Sequence, residues 1–310
     1  MRIVFADPRP RQIRECLIEC GVQHYLASQF YPDSLRSALT LSETIIQPTL
    51  IIDSGAFSAW NTGQAVDLVA YGNTIQRFRR DHGHRFSELA FVNLDVIPGK
   101  QGDLITPLMA EDAAQVGWQN YEYLRQITGE TIIPVYHQGE EVRWLKKMVD
   151  AGSTYVGISP SNDEMTTARD QWLEYVFRFA PKNVRVHGFA VTSPTLMLHY
   201  PWFSVDSISY KLAAGYGKMF IFREHQPAAP LCIACSEEQD EVPGNVFERA
   251  ALQKILLEQY DPRFTFDAIR HSKNYFRVRI NIRTWLKIEA HLNAVGSANK
   301  HSQQPYFDFV

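Results

Sequence analysis

An α/β protein whose parallel strands close into a (β/α)8 barrel is what the sequence predicts, and two regularities predict it. Short β-rich runs recur along the chain: IVFAD (3–7), LIID (50–53), LAFVNLD (89–95), TIIPVYHQ (131–138), TYVGIS (154–159), VRVHGFA (184–190), FSVDS (203–207) and KMFIF (218–222). Between them lie segments with helical spacing, such as DLVAYGNTIQRFRRDH, AEDAAQVGWQNYEYLRQIT and EVRWLKKMVDAG, the last ending on the Gly expected just past a helix C-terminus. Strand and helix alternating this often implies a parallel sheet, because parallel neighbours need a crossover connection. The apolar strands are nearly continuous, which fits burial on both faces. The second regularity is that nearly every run ends in a polar or special residue: Asp7, Asp53, Asp95, His137 with Gln138, Ser159, His187 with Gly188, and Asp206. In a closed parallel barrel of the TIM type those ends converge on one mouth, where such folds place their chemistry. An open doubly wound sheet instead predicts a Gly-rich phosphate loop after the first strand, and ADPRPRQ is not one.

Composition sets the outer bounds. The 310 residues are 45% apolar, enough for a substantial core, and the net charge of -3 gives no global attraction to nucleic acid. Phosphate binding must then come from a local cluster. No apolar run approaches the roughly 18 residues of a membrane span, and MRIVFADPRPRQ lacks a signal-peptide layout. The expectation is a cytoplasmic protein with no membrane partner. Four cysteines, two of them as Cys232-x-x-Cys235, suit reduced thiols or a metal site better than a disulfide framework. Cys16 and Cys20, one helical turn apart, read as packing.

The expected organisation is a main part of the barrel over 1–222 and a zinc-site-like insertion containing the Cys pair over 223–249. A basic helical region completing the barrel (250–290) and a flexible tail (291–310) follow. Residues 263–289 hold seven basic residues against two acidic ones, interleaved with Phe, Tyr and Trp. Arg270, Lys273, Arg277, Arg279 and Arg283 are the candidate contacts to a polymer backbone, with a solvated or packed helix face as the ordinary alternative.

Several carboxylates around one pocket suit chemistry at an anomeric carbon, where one attacks, another moves protons and negative charge stabilises an oxocarbenium-like transition state. They suit a divalent metal equally well, as in a metal-dependent hydrolase. Any single strand-end Asp can also serve merely to cap the next helix.

Taken in order, DSGAFS (53–58), NLDV (93–96), HQGE (137–140), YVGIS (155–159), VHGFAV (186–191) with Pro194 close behind, and SVDS (204–207) resemble the succession of motifs in tRNA-guanine transglycosylases. The resemblance covers roughly residues 50–235 and rests on order and spacing, with DSGAF its most specific element. It implies a barrel enzyme with an inserted structural zinc that exchanges guanine for a 7-deazaguanine through a covalent glycosyl-enzyme intermediate. Asp53 then corresponds to the proton-handling carboxylate, with Ser54 and Gly55 forming the turn behind it. Asp95 accepts from the amide edge of the purine, Gln138 and Gly139 contact its carbonyl edge, and Gly157 and Ile158 lend backbone groups. His187 and Gly188, at the end of their strand, join the base-binding set, and Phe57 beside Trp60 stacks on the base or fills the gap it leaves; the ordinary alternatives are core aromatics over the barrel end for Phe57 and Trp60 and a hydrogen-bonded structural role for His137 and His187. Asp206 is assigned as nucleophile, although the family's second Asp in this motif is Ser209 here, which leaves a supporting role for Asp206 as the alternative. Zinc would take Cys232 and Cys235 with His225 or His271, because Pro230 stands where the family has its first Cys.

Other departures favour DNA as the polymer. KLAAGYGKMF replaces the family's tRNA-gripping Arg segment, and DSGAFSAW and VDSISY look more like the paralogues of phages and bacterial modification islands that insert a preQ0-type base into DNA. The resemblance thus implies DNA and a free 7-deazaguanine base as partners, a host-cytoplasmic location if phage-encoded, and either a homodimer or accessory modification proteins. The alternatives are the same exchange on tRNA and a nucleic-acid-binding paralogue with altered catalysis.

Overall fold

The computed structural model describes residues 1–99, 103–160, 166–179 and 183–301. Two compact units divide the chain, one made of Val4–Thr192 and Tyr200–Ile208, the other of Met1–Ile3, Ser193–His199 and the chain from Ser209 on.

The first unit is a parallel barrel. Its strands are β1 (Arg2–Ala6), β2 (His24–Ser28), β3 (Thr49–Asp53), β4 (Glu88–Val92), β5 (Ile132–Ile133), β6 (Val135–His137), β7 (Tyr155–Ser159), β8 (Arg185–Gly188) and β9 (Ser204–Ser207). They alternate with helices α1 (Arg11–Glu19), α2 (Pro32–Thr44), α3 (Ala56–Thr62), α4 (Leu68–His82), α5 (Pro107–Thr128), α6 (Val142–Asp150) and α7 (Thr166–Phe179). The strand order is β5-β4-β3-β2-β1-β9-β8-β7-β6, so the first strand lies against the last. β5 and β6 are one stave interrupted at Pro134, which has no N–H to give a ladder. On one side of the break Asn93 N donates to Ile133 O (2.9 Å), and on the other Gly157 N donates to Pro134 O (2.8 Å). The segment hands the sheet from β4 to β7, and a nearly closed nine-strand barrel flanked by helices results, compatible with the TIM type.

Side-chain alternation sorts each stave. Val4, Ala6, Leu26, Ile51, Ala90, Val92, Ile133, Val135 and Tyr155 form one buried cluster joined by Phe189 and Phe203. Within it Ala6, Leu26, Ile51 and Ala90 stand side by side across four strands. The neighbouring row, Phe5, Tyr25, Leu50 and Leu89, faces the other way and is also buried. Helices cover that outer row with apolar stripes: α4 buries Tyr71, Ile75 and Phe78 at helical spacing, and its start is fixed by Asp67, whose side chain accepts from Ala70 N.

The staves differ from the expected set in two places. His24–Ser28 is a strand the sequence pattern did not disclose, because its apolar run is only Tyr25–Ala27 between two polar residues. KMFIF is not a barrel strand. Its residues Lys218–Ile221 (β10) pair antiparallel with Leu231–Ala234 (β11) in a separate two-stranded sheet.

The second unit is built around that hairpin with α8 (Pro194–His199), α9 (Ser209–Gly215), α10 (Val246–Gln259), α11 (Phe266–His271) and α12 (Tyr275–His301). Met219, Ile221, Ile233, Cys235, Leu256, Phe264, Phe266, Ile269 and Ile280 are among its core. A two-stranded sheet leaves backbone groups unpaired on its outer edge. Here α12 supplies partners: Asn281 Oδ1 accepts from Phe220 N (2.7 Å), Asn281 Nδ2 donates to Lys218 O (3.3 Å), and Thr284 Oγ1 donates to Phe220 O. The boundary expected at residue 222 therefore falls inside a hairpin, and the stretch 250–290 packs around that hairpin. Of the tail expected from 291, residues up to His301 continue α12, and 302–310 lie outside the described residues. Among the described residues no helix is long and apolar enough to cross a membrane.

Candidate active site

Asp53 lies two residues beyond Ile51, on the same inward face of β3, and stands in register with Ser28 at the end of β2. The chain then turns at once. Gly55 adopts φ 82°, its N–H donates to Asp53 Oδ2 (2.9 Å), and a Cβ there would run into Phe30. Only glycine meets both demands without strain. Ser54 is buried with its carbonyl accepting from Gln29 Nε2 (2.9 Å), so it shapes the turn and offers its side chain to no ligand.

The Asp53 carboxyl is pushed up to about 7, first by burial, then by the charge of Asp95, with a further contribution from Asp206. The Gly55 N–H and the neighbouring Ser28 hydroxyl pull the other way. Ser28 Oγ is buried and reaches no partner with full hydrogen-bond geometry, so its effect is that of a nearby dipole. Tyr71 reports the same field: its hydroxyl donates to Val92 O (2.7 Å), and burial, then Asp53, then Asp95 hold its phenol well above the usual range. Three carboxylates from β3, the end of β4 and β9 thus feel one another.

Asp95 is partnered by an imidazole. His137 is two residues beyond Val135 on the inward face, and its Nε2 lies 2.8 Å from Asp95 Oδ2. Burial lowers the affinity of His137 for a proton, but the hydrogen bond and charge of Asp95 outweigh it and raise the pKa. Glu140 accepts from His137 N (3.1 Å), and burial pushes its carboxyl up to about 7. A narrow crevice lies beside this group, with Asn93, Asp95, His137 and Glu140 as its polar lining and Trp118 and Tyr121 of α5 among its apolar wall.

Asp206 projects from β9 with two distinct oxygens. Oδ1 accepts from Ala190 N (2.8 Å) and faces His187 Nε2 at 3.5 Å. Oδ2 has no hydrogen-bond partner among the described residues. Ala190 is held at φ 52°, an uncommon conformation for a residue with a Cβ, and this aims its N–H at the carboxylate. His187 is fully buried, with Nδ1 2.7 Å from Ser204 Oγ.

Several expected base contacts have other duties. Gly157 N and Ile158 O serve the barrel ladder, bonding to Pro134 O and Phe189 N. A Cβ on Gly157 would enter the Phe189 ring, and one on Gly188 would meet Val191 and Trp202, so both glycines make room for packing. Ile158 and His187 are wholly buried, which removes them as direct contacts. Gln138 and Gly139 (φ 100°) stand in the turn after β6, half-buried and exposed. Phe57 is 64% exposed and lies 5.9 Å from the Trp60 ring, whose indole N–H donates to Gly99 O. Asp7 at the end of β1 is paired with Arg9 Nε (2.5 Å), which also sits 4.2 Å above the Tyr31 ring. The pattern did not disclose Ser28, Tyr71, Tyr155, Glu140 or Ser204. For Glu140 and Ser204 a signal existed inside HQGE and SVDS, two residues before or three after a residue already singled out.

The Cys pair does not fit a zinc site as it stands. Strand alternation sends Cys232 to the exposed face and Cys235 with Ile233 into the apolar core, where its Sγ points at Phe266 O. Burial raises both thiols, opposite to the thiolate that zinc requires. His225 is exposed, and His271 Nδ1 is turned to Asp267 O (2.8 Å). Among the described residues no three His, Cys, Asp or Glu are grouped to hold a metal.

Three of the five expected phosphate contacts are committed internally. Arg277 is 4% exposed and donates to the carbonyls of Ala214, Cys235, Ile269 and Lys273. Arg270 pairs with Asp240, and Arg283 with Asp261 and Tyr260 O. Lys273 is exposed and Arg279 half-buried. Replacing Arg277 by Met is therefore expected to lower stability by about 3 kcal/mol or more, because three buried carbonyls and one half-buried one lose a charged donor. The salt dependence of any DNA binding should stay unchanged. A urea titration and a binding isotherm at two salt concentrations check this, and a flattened salt slope in a stable variant would restore Arg277 as a phosphate contact.

A scan of the chain against protein-family models finds no match, and a search of curated proteins finds no relative.

Proposed function

We propose that the protein is a pentosyltransferase that exchanges guanine in DNA for a 7-deazaguanine base, preQ0 or a relative, through a covalent glycosyl-enzyme intermediate. The observation that carries this reading is the unequal state of the carboxylates: Asp53, under the charges of Asp95 and Asp206, is held to about 7, while Asp206 keeps one oxygen tied and one without a partner among the described residues. A retaining displacement needs that division between a proton carrier and a nucleophile.

In this reading Asp206 Oδ2 attacks C1′ as the bond to guanine N9 breaks, and neutral Asp53 gives its proton to the departing base. The incoming 7-deazaguanine returns a proton to the Asp53 carboxylate, its N9 attacks C1′, and Asp206 is released as a carboxylate. A group poised near neutrality can act in both directions. Asp95, one oxygen held by His137, keeps the other for the amide and amino edge of the purine, with Gln138 at the carbonyl edge. A base in duplex DNA must leave the stack to reach such a pocket, and exposed Phe57 is placed to occupy the space it vacates. DNA is preferred to tRNA on the likeness of DSGAFSAW and VDSISY to the DNA-acting paralogues.

The test is incorporation of labelled guanine and labelled preQ0 into duplex DNA and into tRNA by the purified protein. Label in DNA is expected. Label in tRNA alone would reassign the polymer, and label in neither would remove the activity.

A further inference from the structure

We infer that His187 is a positioning residue for Asp206, locked in one tautomer by a buried relay that runs Tyr155, Ser204, His187, Asp206. All four belong to the barrel interior. His187 is in register with Gly157 on one side and Ser204 on the other, and Tyr155 lies on the same face of β7 as Gly157. Tyr155 OH and Ser204 Oγ are 2.6 Å apart, Ser204 Oγ and His187 Nδ1 2.7 Å, and His187 Nε2 and Asp206 Oδ1 3.5 Å. Among the described residues His187 Nε2 makes no hydrogen bond; the polar atom it faces is Asp206 Oδ1 at 3.5 Å, and it is shut away from solvent. The Phe189 ring packs edge-on at 4.5 Å and fixes the imidazole plane.

The end of the chain sets its direction. An ionised carboxylate only accepts, so the nitrogen facing it must carry the proton. In neutral His187 the other nitrogen, Nδ1, is then an acceptor, which obliges Ser204 to donate to it and to accept in turn from the Tyr155 hydroxyl. Every proton in the relay points toward Asp206 Oδ1. Together with Ala190 N–H it leaves Oδ2 as the oxygen with a free lone pair, and it keeps two donors on Oδ1 when that atom becomes an ester carbonyl. At 3.5 Å the last contact is longer than a full hydrogen bond, and the relay is complete only when Asp206 stands a few tenths of an ångström closer to the imidazole. Gly157 is what admits this layer, because a side chain there would displace Phe189 and with it the imidazole.

The relay itself does not depend on the activity, whereas its kinetic effect rests on the reading of Asp206 as nucleophile; two measurements separate them. Long-range ¹H–¹⁵N correlation spectra of the full chain at neutral pH report the tautomer of each histidine, with His187 assigned by its loss in His187→Gln. If that variant fails to fold, Asp206→Asn gives the assignment, since it perturbs the imidazole facing residue 206. The expected result is a protonated Nε2 and a bare Nδ1, with the preference weakened in Ser204→Ala. A protonated Nδ1, alone or with Nε2, would overturn the relay. The kinetic measurement is exchange of labelled guanine into duplex DNA. His187→Asn, whose amide reaches Ser204 but not Asp206, should be slower than wild type by about ten- to a hundredfold. His187→Gln, which restores a donor toward Asp206, should recover at least about tenfold of that loss. Equal losses in two equally stable variants would reduce His187 to a packing residue. No exchange by the wild type would remove the proposed function and leave the spectra to judge the relay alone.

Discussion

Asp206→Asn is expected to abolish covalent capture of DNA and to slow guanine exchange by about a thousandfold or more, the scale seen when a nucleophile is removed from an otherwise intact site. Asn has the shape of Asp and keeps an oxygen to accept from Ala190 N–H, so the fold should be untouched. What disappears is the anion that the proposed mechanism directs at C1′. A denaturing gel of protein incubated with labelled duplex DNA should show a shifted band for the wild type and none for the variant. An adduct that persists in Asp206→Asn would move the nucleophile elsewhere. The same substitution removes one of the charges that raise Asp53, so the alkaline limb of the exchange rate against pH, where the proton-giving form of Asp53 is lost, should shift to lower pH in any residual activity.

The second large effect is on stability, and its sign is fixed by linkage. Asp53 ionises near the usual carboxylate value in the unfolded chain and near 7 in the folded one. Between those values the folded chain keeps a proton that the unfolded chain has released, so stability falls as pH rises through this window. Below about pH 4 both states are protonated and the penalty vanishes; above the folded value it is complete. Asp53→Asn removes the titration. It should stabilise the protein by about 1–3 kcal/mol at pH 8 and by almost nothing at pH 4, after allowance for the partial exposure of the carboxyl. Glu140 and Glu289, each raised to about 7 mainly by burial, leave a pH dependence of the same sign in the variant. Urea titrations at the two pH values measure the difference, and a variant no more stable at pH 8 would disprove the crowded acid site. Exchange should nevertheless drop by about 10²–10⁴, because an amide carries no proton between bases.

The barrel was legible because its signal is redundant: apolar runs buried on both faces and polar residues at their ends repeat around the ring. Where one stave carried only three apolar residues, at Tyr25–Ala27, redundancy failed, and Ser28 was missed with it. KMFIF misled for the opposite reason, since period and apolarity do not distinguish a barrel stave from a hairpin strand. Asp53, Asp95 and Asp206 were readable as strand-end acids, and alternation from Ile51 and Ser204 explains why the first and last point inward. Their partners were not readable, because Tyr71, Ser204 and Tyr155 earn their roles through contacts that cross 17 or more residues of chain. The basic stretch shows the limit of charge counting: Arg277 looks like its neighbours in sequence, yet it is the one turned inward onto four carbonyls.

Pro134 has a mechanical consequence. A cylinder of strands yields first where an amide is lacking, and here that place is midway along a stave, not where the first and last strands join. The stave is divided into a lower piece answering to β4 and an upper one, bearing His137, answering to β7. The compliance of the whole ring is therefore concentrated directly under the imidazole that grips Asp95, and hydrogen exchange should find the fastest strand amides at Val135 and Tyr136. In the proposed reading, a wall that can breathe at that point would let the recess beside Asp95 admit bases of slightly different bulk.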